Sequence, residues 1–159
     1  KIKSRLYVGD YNFINSHSVV TLQSFGTLSH EFLHTVGFPD LYRSSGEGNP
    51  VSYWDIMASA GYYQQFPLSY LRYTKGWVPM NEITQSGDYT LDAVTSDSDR
   101  ILFKIQTPMS DSEFFVLEYR KKVTDKLANV GFETKMPSSG LLIYRVNLGI
   151  SDLTNSVVI

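Results

Sequence analysis

No cysteine occurs among the 159 residues, which excludes a disulfide framework, a thiolate metal site and a cysteine nucleophile. Its absence leaves the compartment open. Histidine is scarce too: there are 3, so a metal centre built on imidazole has few donors to draw on. Neither charge sign dominates. The 14 Lys and Arg against 16 Asp and Glu leave a net charge of −2, which speaks against a nucleic-acid partner, because phosphate binding needs a basic surface. No apolar run approaches the ~18 residues of a membrane span, and the longest, such as Gly140 to Tyr144, are strand-sized. Repeats and low-complexity tracts are missing. The chain opens on Lys1-Ile2-Lys3 with no Met, signal core or cleavage pattern, and it stops on Ser156-Val157-Val158-Ile159. Both ends read as those of an excerpt from a longer protein, and the oligomeric state is left open.

What is plentiful is aromatic: 11 Tyr and 9 Phe, expected mostly in packing. The text divides near Gly76 to Ser86. Before it, helical signals dominate. From about Ser18 to Val36, Leu22, Phe25, Leu28, Phe32, Leu33 and Val36 recur at three- and four-residue steps. Gly37 stands where a left-handed residue ends a helix, and Pro39 bars its continuation. A Gly- and Ser-rich loop follows over 40–66. Pro67 then opens a second helical stretch, Leu68 to Lys75, closed by Gly76. Beyond it, Tyr89–Val94, Ile101–Ile105, Phe114–Tyr119 and Leu141–Val146 read as strands, punctuated by Gly87, Pro108 and Ser138-Ser139-Gly140. The expected class is α+β, with residues 86–159 forming a β-rich, mainly antiparallel region.

The segment that carries chemistry is His30-Glu31-Phe32-Leu33-His34. Two histidines four apart on a helix share one face, so both imidazoles can reach one zinc ion. Glu31 would then sit beside the attacking water as its base. A catalytic zinc takes a third protein ligand. His17, Glu47 and Asp40 are the candidates. Asp40 is the best of them: it lies six residues after His34, beyond a glycine that allows a sharp turn, at the spacing of the third ligand in the metzincins. Further on stands Trp54-Asp55-Ile56-Met57-Ala58-Ser59, where a metzincin carries a tight turn with a Met beneath the metal. Met57 is expected there as an apolar floor and not as a ligand.

The run His30-Glu31-Phe32-Leu33-His34-Thr35-Val36-Gly37-Phe38-Pro39-Asp40-Leu41-Tyr42 resembles the signature of the immune inhibitor A family of secreted bacterial zinc metallopeptidases. Trp54–Ser59 resembles that family's Met-turn, Gly76-Trp77-Val78 its Gly-Trp step, and Phe115–Arg120 and Gly140–Tyr144 two of its strands. The ordered matches run from about residue 28 to 147. Two departures stand out: Leu33 replaces a common Gly, and Arg145-Val146-Asn147 replaces a His-Ile-Asp type ending.

The resemblance implies the C-terminal part of a zincin catalytic domain over residues 1–85, followed by the β-rich extension. It implies an endopeptidase acting on protein or peptide, with His30, His34 and Asp40 on zinc and Glu31 as the base, in a secreted protein. Calcium is implied by the resemblance alone, since Asp97, Asp99, Asp111 and Asp125 are scattered and form no recognisable loop. Tyr53, Tyr62, Tyr63 and Tyr70 are all candidates for a hydroxyl that stabilises the oxyanion. The alternative function is an adhesion or glycan- or protein-binding module with a structural or vestigial zinc site, and a zinc amidase or esterase is a third reading.

Overall fold

The computed structural model describes residues 24–42, 49, 51–60, 64–123, 133–150 and 157–158. The class is α+β, as expected. Helix α1 spans Ser24–Thr35 and a single 3-10 turn covers Ser52–Trp54. Helix α2 spans Ser69–Thr74. The strands are β1 Asn81–Glu82, β2 Phe103–Gln106, β3 Glu113–Arg120, β4 Gly140–Asn147 and β5 Val157–Val158.

Both helices end in the same way, and the reason is glycine. Gly37 has φ +84° and Gly76 has φ +71°, values that side-chain-bearing residues rarely adopt. After α1, the N–H of Phe38 donates to Leu33 O and that of Gly37 to His34 O. After α2, Trp77 donates to Arg72 O and Gly76 to Tyr73 O. This paired pattern captures carbonyls that a helix end otherwise leaves without partners. The residues after the two glycines then meet, with the Phe38 and Trp77 rings 5.1 Å apart.

The sheet runs in the order β1-β2-β3-β4-β5. β1 and β2 are parallel, and the other three pairings are antiparallel. The longest ladder joins β3 to β4, with Phe114 opposite Val146, Val116 opposite Tyr144 and Glu118 opposite Leu142. Alternation puts Phe114, Val116, Glu118 and Arg120 on the covered face of β3, and Leu142, Tyr144 and Val146 on that of β4. One core results. It draws Phe38, Leu41, Ile56, Met57, Leu68 and Leu71 from the first half of the chain, and Ile101, Leu102, Val116 and Tyr144 from the second.

Two expectations need correction. Tyr89 to Val94 forms no strand: within it, Ala93 alone pairs, in an isolated parallel bridge to Tyr119. The Asp92 carboxylate is engaged locally by Ser98 and Arg100, so this stretch folds on itself instead of joining a ladder. The helical stripe of α1 is also less buried than its periodicity suggests. Leu33 packs on the core, while Phe32 is 59% exposed, and Phe25 and Leu28 are exposed as well.

Candidate metal centre

Helix α1 presents His30 and His34 one turn apart, their rings edge to face with centroids 4.7 Å apart. Each imidazole is held from behind. Nδ1 of His30 donates to Ile56 O at 2.9 Å, and Nδ1 of His34 donates to Phe38 O at 2.8 Å. A proton on Nδ1 leaves Nε2 of both rings as a bare lone pair. The two Nε2 atoms are 3.2 Å apart. The turn at Gly37 brings the chain back, so that Asp40 Oδ1 lies 3.2 Å from each of them.

These three atoms form a triangle with sides of 3.2 Å. Ligands bonded at 2.0–2.1 Å in tetrahedral geometry stand about 3.3 Å apart. The triangle therefore has the size of three corners of a zinc tetrahedron. Its charge pattern asks for a cation: two nitrogen lone pairs and a carboxylate oxygen converge, and Asp40 Oδ1 is buried with no hydrogen-bond partner. Among the described residues, His30, His34 and Asp40 form the only group of this kind.

Glu31 is partly buried on the same helix. Tyr42 stands near both acidic groups: burial first, and then the charge of Asp40, push its phenol up, with a smaller contribution from Glu31. Tyr42 was not among the tyrosines that the sequence singled out, although the Leu-Tyr step after Asp40 was its signal. Of those that were, Tyr53 is exposed on the 3-10 turn and Tyr70 packs against Phe114 and Tyr73. Tyr62 and Tyr63 lie outside the described residues, as do His17, Glu47 and Asp125. Asp97, Asp99 and Asp111 are exposed.

Beneath the triangle runs the turn from Asp55 to Ser59. Ala58 and Ser59 both donate their N–H groups to Asp55 O. Met57 is fully buried, and its carbonyl accepts the N–H of Leu41, the neighbour of Asp40. The turn thus touches two of the three donors, His30 through Ile56 O and Asp40 through the backbone of Leu41.

A buried ionic network that the sequence reading missed lies between this turn and the sheet. Asp55 accepts the N–H of Met57 and of Leu68, both at 2.6 Å. Glu118 accepts the N–H of Ser69 at 2.6 Å and the hydroxyl of Tyr144 at 3.3 Å. Arg120 grips Glu133 through two nitrogens, at 2.9 and 2.6 Å, and Glu118 at 2.9 Å. Glu133 in turn accepts the N–H of Phe66. Burial pushes the Asp55 carboxyl up to about 6, against its two backbone hydrogen bonds and Arg120. Burial also raises Glu133, with Arg120 opposing. Burial lowers the Arg120 guanidinium, but the two glutamates outweigh it and push the group up. The signal was the Glu-Tyr-Arg ending of β3, two charges on the alternation that otherwise points inward.

No curated protein and no solved structure matches this chain. A family model does, over a span that takes in His30, His34, Asp40, Met57 and the start of α2, and it speaks for a metallopeptidase. Residues 3–70 match the catalytic domain of the immune inhibitor A peptidases, family M6, and the resemblance carried by the motifs is thereby supported.

Proposed function

We propose that this chain is part of a zinc-dependent endopeptidase, in which His30, His34 and Asp40 hold the metal and Glu31 is the general base. The observation that carries the reading is the triangle of two imidazole nitrogens and one carboxylate oxygen with sides of 3.2 Å. Two nitrogens and one oxygen are a donor set that suits zinc and leave a fourth position for water or substrate. Zinc, when bound, makes a water acidic enough to attack near neutral pH and polarises the scissile carbonyl. Glu31 takes the proton from the attacking water onto its carboxylate and returns it to the leaving amine. The Ile56 and Phe38 carbonyls keep the imidazole nitrogens aimed inward throughout.

The same reading makes residues 1–85 the C-terminal part of a zincin-type catalytic region, with 86–159 as its β-rich extension. The substrate is then a protein or peptide, and secretion follows from the family resemblance. No helix among the described residues is long and apolar enough to cross a membrane.

The test is metal analysis of the full-length protein together with casein digestion, before and after chelation and with zinc restored. One zinc per chain and cleavage that follows the metal are expected. Bound zinc without cleavage of any peptide would favour the binding-module reading, and hydrolysis confined to non-peptide amides or esters would favour the third.

A further inference from the structure

We propose that Asp55 is a positioning residue for the metal centre, clamping the turn at Met57 to the amide of Leu68, the residue that caps the start of α2. The inference rests on the proposed metal site and extends it to a side chain outside the donor triangle. Asp55 is fully buried, and each of its two oxygens accepts a backbone N–H at 2.6 Å. Oδ1 closes the turn on Met57. Oδ2 reaches across to Leu68, which opens α2. The carbonyls of the two residues that follow Asp55 are those that serve the triangle: Ile56 O, in the peptide whose N–H Asp55 accepts, fixes the His30 ring, and Met57 O holds Leu41 beside Asp40. Helix α2 is itself anchored to the sheet, because Glu118 on β3 takes the Ser69 N–H and the Tyr144 hydroxyl on β4 takes that of Tyr70. One carboxylate therefore ties the orientation of two metal donors to the sheet.

Glu118 provides the contrast. It binds the same end of α2 and is equally buried, but it makes no bond to the turn. A residue that only supports the fold and one that aims the donors should differ in what their loss does to the metal.

The experiment uses the full-length protein and the variants Asp55→Asn and Glu118→Gln. Zinc affinity is measured by chelator competition, geometry by the visible spectrum of the cobalt-substituted protein, and stability by urea unfolding without metal. Asp55→Asn turns an amide NH2 toward the Leu68 N–H, two donors face to face. It should weaken zinc binding by about 10–100-fold, the range for residues that orient metal ligands, and should alter the cobalt spectrum. Glu118→Gln should lower stability while leaving affinity and spectrum at wild-type values. Equal metal behaviour in the two variants overturns the proposal. Should Asp55→Asn not fold, the wild-type protein still decides: zinc should slow amide hydrogen exchange at Met57 and Leu68, because the coupling is reciprocal. Exchange there that is indifferent to zinc overturns it as well. A wild-type protein that holds no zinc at all marks instead the failure of the metal-site reading.

Discussion

Glu31→Gln keeps the shape of the side chain and removes its capacity to take a proton. Peptide turnover should fall by at least ~10²–10⁴, the usual contribution of a positioned base, while zinc content and fold stay as they are. Steady-state cleavage with metal analysis of both proteins checks this, and near-normal hydrolysis excludes Glu31 as the base. Met57→Leu nearly conserves volume in a fully buried site, so it should cost less than ~1.5 kcal/mol of stability in urea unfolding and leave zinc bound. At this scale the meeting of His30, His34 and Asp40 was legible in the sequence. A four-residue step on a helix fixes two side chains on one face, and a glycine followed by Pro-Asp needs little else to bring a carboxylate back to them. Tyr42 escaped notice because a tyrosine's environment depends on which groups surround it in space, here Asp40 and Glu31.

The two helix ends offer a comparison between elements of like geometry. Gly37→Ala and Gly76→Ala each force a side chain into a left-handed backbone, at a cost of about 1–2 kcal/mol. The added carbon at Gly37 would meet the Lys75 Nζ at 2.9 Å, the free end of a flexible chain that can move aside, and at Gly76 it meets nothing within 4 Å. The two variants should therefore lose similar stability in thermal unfolding. Only Gly37→Ala should weaken zinc binding, because Asp40 hangs on that turn and none of the three proposed ligands hangs on the other. Helix ends were readable because glycine and proline act within a few residues. The supposed strand at Tyr89–Val94 was misread because alternation alone cannot reveal that Asp92 bonds back to Ser98 and Arg100.

Across the molecule, one cation holds the acidic interior together. Arg120→Met would strand Glu118 and Glu133 without their partner, and loss of one member of a buried ionic group costs about 3–5 kcal/mol. Changing all three to apolar or amide residues should recover much of that, a contrast that urea unfolding can resolve. Asp55 adds a dependence on pH. Its carboxyl titrates at about 6 in the folded chain against an unperturbed 3.8, so the folded state holds the proton more tightly. The stability it contributes is complete below about 4 and is lost as the pH rises through about 6. Glu133 shifts in the same direction. Unfolding free energies of the metal-free protein should decline across that window, and Asp55→Asn should flatten the slope. Only half of this network left a trace in the sequence. Glu118 and Arg120 sit on an inward alternation, but their partner Glu133 is 13 residues from Arg120, and no local rule links the two. The hydrogen bond between Leu41 and Met57 has one more consequence, for how such a chain can vary. It ties the backbone before residues 42–56 to the backbone after them, so length added at 43–48, away from Asp55 and Ile56, leaves Leu41 and Met57 joined. Doubling the length of a pinned loop costs only about 0.6 kcal/mol in closure entropy. The number of residues between Asp40 and Met57 is thus nearly free to drift, and a peptide tag grafted at 43–48 should leave the affinity for zinc at the proposed site untouched.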